Sequence, residues 1–174
     1  GALLNSKVPK IFAESAVAGD GSDWNLTELG MLGDMSIAVS VTLFDNGRHT
    51  NPVPHTEPFA GTLIFTPGAL LRNGMGHQPA DWAEVTCPNG ALDLDGYFRL
   101  YERRLLPVFH YVDAHAAAQG KHSLLTIPGL GCGQFAGPFA SQLGAALQTV
   151  LERILSTHGE LFPNIKAVYY DPFS

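Results

Sequence analysis

Cationic residues are scarce in this chain, with Lys and Arg numbering 10 against 16 Asp and Glu over 174 residues, for a formal net charge of −6. Apart from Arg103-Arg104 no Lys/Arg cluster occurs, so a bulk nucleic acid held by phosphate neutralisation is excluded as a partner. A single nucleotide is not excluded, because a loop of backbone donors binds phosphate without net positive charge. Cysteine is rarer still. Cys87 and Cys132 lie far apart and lack metal-ligand spacing, which fits a reducing, intracellular compartment and no disulfide framework. The histidines His49, His55 and His77 lack the i, i+4 or His-x-His spacing that a metal needs, so no metal is expected. Long apolar runs are missing as well. Nothing approaches the roughly 18 residues of a membrane span, and the N-terminus has no basic start followed by an apolar core, so no membrane partner is expected.

What the chain does have is apolar content of 45% and a length that suits one globular domain spanning residues 1–174. It opens on Gly1 rather than Met, which fits a domain excised from a longer chain. The stretch around which the rest is organised runs from Ser123 to Pro138. Leu124 to Ile127 form a short apolar run typical of a buried strand. Gly129, Gly131, Gly133 and Gly137 follow, and from Phe139 apolar residues recur at helical spacing. Strand, glycine loop and helix form a phosphate-binding geometry, since glycines let successive N–H groups converge and a helix N-terminus favours an anion. The alternate-position glycines are neither the dinucleotide fingerprint nor a P-loop, and spacing alone leaves an anion cradle and a plain tight turn both open.

The remaining elements place this loop. Ile11 and Phe12 are the best candidates for a first strand, and Ser22 to Gly30 read as a capped turn. Met35 to Phe44 alternate apolar and small polar residues and stop at Asp45-Asn46-Gly47, a strand ending in a turn. Gly61 to Phe65 form a second strand after an exposed connection holding Pro52, Pro54 and Pro58. Asp81 to Thr86 fit a short strand. From Asp93, a candidate cap, Leu94, Tyr97, Phe98, Tyr101, Leu105, Val108, Phe109 and Val112 fall at helical spacing up to Gly120, with Pro107 expected to kink or split the helix. A further helix covers about Phe139 to His158, and Ile165 to Tyr170 form the last strand. This strand–helix order predicts parallel strands joined by a right-handed crossover, with helices on both faces.

The run from Tyr101 to Asp171 resembles the C-terminal half of a macrodomain: the helix YERRLLPVFHYVDAHAAAQG, the strand LLTIPG, the loop GLGCGQFAG, an amphipathic helix and a last strand ending near an aromatic. Upstream, GTLIFTPGALL is similar to the strand and turn that many macrodomains carry before that helix. The GCGxF form is most similar to the branch holding poly(ADP-ribose) glycohydrolases and related bacterial macrodomains. The resemblance implies an α/β fold, a three-layer α/β/α mixed sheet, and a site for ADP-ribose or an ADP-ribosylated protein, with no cofactor. It implies that Gly129, Leu130, Gly131, Cys132, Gly133, Gln134 and Phe135 wrap the diphosphate and distal ribose, and that Phe173 stacks on adenine. An Asp near the first strand pairs with the adenine amino group in the family, and Asp20 and Asp34 both fit. Asn46 occupies roughly the place of the family's first-loop Asn.

The family's triple-glycine run, paired glutamates and Asn-Ala-Ala-Asn are absent, so no catalytic acid carries over. Asp45 is then the candidate catalytic carboxylate, because it follows a strand directly and precedes a turn; capping that turn is the plainer role for it. Hydrolysis of an ADP-ribosyl linkage, a non-catalytic ADP-ribose reader and an interaction scaffold are the functions compatible with the resemblance. Cys132 has no His tied to it by motif, so a thiol nucleophile has little support. Valine at Gly131 or Gly133 is expected to abolish binding with the fold intact.

Overall fold

The computed structural model describes residues 33–45, 55–72 and 78–172. Within them the chain is α/β. Strand β1 (Ile37–Leu43) pairs antiparallel with β2 (Phe59–Phe65), in a register that sets Ile37 against Phe65 and Leu43 against Phe59. A short helix α1 (Trp82–Val85) and the long helix α2 (Leu94–Ala118) follow. Strand β3 (Ser123–Pro128), a 3₁₀ segment (Gln134–Phe139), helix α3 (Leu143–His158) and strand β4 (Ile165–Asp171) complete the order. β3 and β4 pair in parallel, as a strand–helix–strand crossover requires, from Ser123 against Ile165 to Pro128 against Asp171.

Three expectations change. Residues 82–85 form one helical turn, not a strand, because the Asp81 carboxylate is held by the Leu70 amide at 2.7 Å and by Arg104 at 2.8 Å, which fixes the chain as it enters the turn. Pro107 does not split α2, which is one helix from Leu94 to Ala118. Its ring lies on the exposed side, while Leu105, Val108 and Phe109 bury the other side and carry the helix past the missing N–H. The helix expected from Phe139 begins at Leu143. Between it and the glycine loop lies the 3₁₀ segment, which contains Gly137 at φ 57°. A Cβ on Gly137 would lie 2.5 Å from the Leu71 carbonyl, so the chain must turn there through a glycine.

The core joins α2 and α3 to the inner side of β3 and β4. Tyr97, Leu100, Phe109, Leu143, Leu147 and Ile154 are fully or almost fully buried in it. The Asp93 carboxylate caps α2 by accepting from the Asp95 amide at 3.0 Å. The two long helices are clamped by Arg153, which bonds Asp95 at 2.7 Å and stacks 3.9 Å from the Phe98 ring centre, and by His158 on Glu102. Along β3 and β4, Ile127 is buried and Leu125, Val168 and Tyr170 are partly buried, whereas Leu124, Thr126, Ala167 and Tyr169 are exposed. That period-two alternation marks one covered face. The two strand pairs are not hydrogen-bonded to each other.

Candidate functional site

Between the strand pairs lies a cleft of about 1290 Å³, larger than the roughly 300–1,000 Å³ of ordinary small-molecule pockets. All seven residues of β2 line it, and so do Leu124 to Pro128 of β3 without a gap. Side chains on one sheet face would contribute alternate residues only. The cleft therefore reaches the free edges of β2 and β3, and Met35, Ile37 and Leu43 line it from the β1 side. Leu105 and Val108 of α2 also line it.

The glycine loop closes one end. Gly129, Leu130, Gly131 and Phe135 line the cleft with Gly68, which follows β2. Cys132 donates its amide to the Gly129 carbonyl at 3.0 Å, closing a turn with Leu130 and Gly131 at its centre, and Gly131 has φ 71°. Positive φ at the third residue is the mark of a type II turn. A Cβ on Gly131 would lie 2.8 Å from both backbone N and O of Ala69, while one on Gly68 would fall onto the Gly131 amide nitrogen. The two loops thus meet backbone to backbone. Gly129 faces the Pro172 carbonyl, which a Cβ would approach to 2.7 Å. Gly133 is different: a Cβ there would meet nothing within 4 Å. Among the described residues, the amides of Gly131 and Gly133 have no backbone acceptor.

Tyr101 and Arg104 of α2 support this end. The buried Tyr101 hydroxyl donates to the Leu130 carbonyl at 2.6 Å and accepts from the Ala69 amide at 2.9 Å. Burial pushes its pKa up to about 12, so it remains a neutral donor. Arg104, fully buried as a side chain, donates to the Gly68 carbonyl at 3.0 Å, to Asp81 at 2.8 Å and to Asp34 at 3.0 Å. Arg103 adds a bond to Asp34 at 2.7 Å and a two-pronged bond to Glu84. Burial disfavours ionisation of Asp34, but the hydrogen bonds from Arg103 and Arg104 outweigh it and hold its carboxyl below the usual carboxylate range.

Of the residues expected at the site, Gly129, Leu130, Gly131 and Phe135 line the cleft; Cys132, Gly133 and Gln134 lie in the same loop outside that lining. Cys132 is half-buried with its thiol 3.6 Å from the Leu130 carbonyl, and burial raises its pKa, which keeps it a thiol. Asp34 stands near the glycine-loop end with both carboxylate oxygens accepting from guanidinium groups. Asp45 is not brought to the loop. Leu43 pairs with Phe59, at the start of β2, whereas the loop meets Gly68 beyond the end of β2. Seven residues of strand, about 20 Å, separate the two ends. Asp20, Asn46 and Phe173 lie outside the described residues.

Three residues that the sequence did not single out matter here. In the sequence Tyr101 is one position of an apolar stripe and Arg104 half of the Arg103-Arg104 pair. Asp171 ends β4 opposite Pro128, the residue that opens the glycine loop. The rule that ligands lie at the carboxyl edge of parallel strands would have found it. Nine residues lie between Gly133 and Leu143, yet the start of α3 stays beside the base of the loop: a Cβ on Gly144 would lie 3.6 Å from the Pro172 side chain, and one on Gly129 2.7 Å from the Pro172 carbonyl. Among the described residues no group of His, Cys, Asp and Glu is arranged to hold a metal, and no helix is long and apolar enough to cross a membrane.

A family model described as macrodomain effector MavL matches residues 1–174. No curated protein matches the chain.

Proposed function

The chain belongs to the MavL macrodomain effector family, and from that premise we propose that it binds ADP-ribose in the cleft between β2 and β3, with the diphosphate against the Gly129–Phe135 loop. Macrodomain membership supports ADP-ribose binding in general. The observation that carries the placement is the loop itself: it closes the cleft, its shape is fixed from behind, and the amide of Gly131, which lines the cleft, lacks a backbone acceptor among the described residues. Calorimetry with ADP-ribose and AMP tests it. ADP-ribose should bind more tightly, because the loop takes a diphosphate and distal ribose rather than one phosphate; no heat at millimolar ADP-ribose would overturn the reading.

We further propose that the domain hydrolyses an ADP-ribosyl linkage. Water attacks C1 of the distal ribose through an oxocarbenium-like transition state, the bond from C1 to the acceptor atom breaks, and the proton that a carboxylate takes from the water ends on the departing group. Asp171 stands at the loop's own sheet edge, whereas Asp45 follows the distant end of β1. Asp171→Asn is therefore expected to stop release of ADP-ribose from a modified protein, and Asp45→Ala to leave it. The reverse outcome returns the role to Asp45.

A reader without chemistry is the second reading. It is favoured by the fact that Asp34 and Asp81, next to the loop-supporting Arg104, are engaged by guanidinium and amide donors. Absence of turnover by the unmutated domain on ADP-ribosylated substrates would select it.

A further inference from the structure

We propose that Tyr101 is the positioning residue that aims the Gly131 amide at a bound anion, an inference that rests on the ADP-ribose reading above. The central peptide of a β-turn, here Leu130–Gly131, is the unit whose orientation separates type I from type II, and the two are related by flipping that plane. Glycine at the third position, with φ 71°, accepts either form without a Cβ penalty. The turn's own hydrogen bond, Cys132 N–H to Gly129 O at 3.0 Å, is common to both types. Something outside the turn must choose.

Tyr101 makes that choice. Its hydroxyl donates to the Leu130 carbonyl at 2.6 Å from a fully buried position on α2. In a trans peptide the C=O and the following N–H point in opposite directions. Holding the Leu130 carbonyl toward α2 therefore turns the Gly131 N–H away from it, and Gly131 lines the cleft. The same hydroxyl accepts from the Ala69 amide at 2.9 Å, so the neighbouring loop is held by the same group. That loop packs directly against the same peptide through Gly68, where a Cβ would fall onto the Gly131 nitrogen. One buried hydroxyl thus fixes the peptide plane, and one missing side chain lets the neighbouring loop close on it.

The test is Tyr101→Phe, read by calorimetry with ADP-ribose and by the ¹⁵N and ¹H shifts of the Gly131 amide without ligand. Affinity should fall about tenfold or more, the factor that follows from losing one hydrogen bond to a charged acceptor, and the Gly131 resonance should move or split as the plane is released. Tyr101→p-aminophenylalanine, which still donates to the Leu130 carbonyl, should restore both readouts and serves as the test if the Phe variant fails to fold: it should then bind like the parent protein. Unchanged affinity and an unmoved Gly131 amide in Tyr101→Phe would overturn the proposal, as would failure of the amino variant to bind where the parent does. If the parent itself does not bind ADP-ribose, the functional reading fails. The Gly131 resonance in the unliganded variants still decides whether Tyr101 holds the plane.

Discussion

Gly131 and Gly133 stand two residues apart and answer to different demands. Gly131 combines positive φ with backbone contact: a Cβ there would lie 2.8 Å from Ala69 N and O. A left-handed conformation costs an L-residue about 1–2 kcal/mol, and inserting an atom into a packed site costs about 1–3 kcal/mol more. Gly131→Ala should therefore lower unfolding stability by about 2–4 kcal/mol, measured by urea titration, and its loss of binding would not isolate a ligand contact. The same change at Gly133 places its methyl in open space. Its cost in stability should be smaller than that of Gly131→Ala, while ADP-ribose affinity falls. Equal destabilisation by both substitutions would show that Gly133 is also a packing glycine. The alternating glycines were visible in the sequence; which one meets the neighbouring backbone was not, because that depends on Gly68 and Ala69, far away along the chain.

At the level of elements, α2 is both scaffold and instrument. Its buried side carries Tyr101, Arg104 and Leu105 toward the site, and Pro107 sits on the exposed side of the same turns. Helical periodicity announced the helix, and Asp93 and Gly120 marked its ends as the structure has them. The sequence overstated Pro107, because local propensity was set against a tertiary core that it could not weigh. An interior proline still costs up to about 3 kcal/mol relative to alanine, so Pro107→Ala should raise the unfolding midpoint with a gain of about 1–3 kcal/mol and leave ADP-ribose affinity unchanged. A loss of affinity would mean that the proline shapes α2 at Tyr101 and Arg104. Short elements were less legible. Trp82–Val85 has too few residues to display a period, and its turn is fixed by Asp81 contacts with Leu70 and Arg104. The pairing of β3 with β4 followed from chain order, whereas the open cleft between β2 and β3 is a spatial fact with no local sequence mark.

For the molecule as a whole, charge and ligand have the same sign. The formal net charge is −6, and a diphosphate brings further negative charge, so the long-range field opposes the encounter. Attraction has to come from short-range donors, and the loop offers backbone amides held by neutral Tyr101 and by Arg104, whose guanidinium is committed to Asp34, Asp81 and the Gly68 carbonyl. Salt then acts differently than on a basic groove. A protein that neutralises six to ten phosphates with Lys and Arg loses about 10³–10⁵ in affinity between about 50 and 200 mM salt. Here added salt screens the repulsion while leaving donors in contact with the ligand little affected, since screening extends over a length of about 10 Å at 0.1 M. Calorimetric affinity for ADP-ribose should therefore change by less than about threefold over that same range. A steep fall would require direct cation–phosphate contacts and would move the diphosphate away from the Gly129–Phe135 loop.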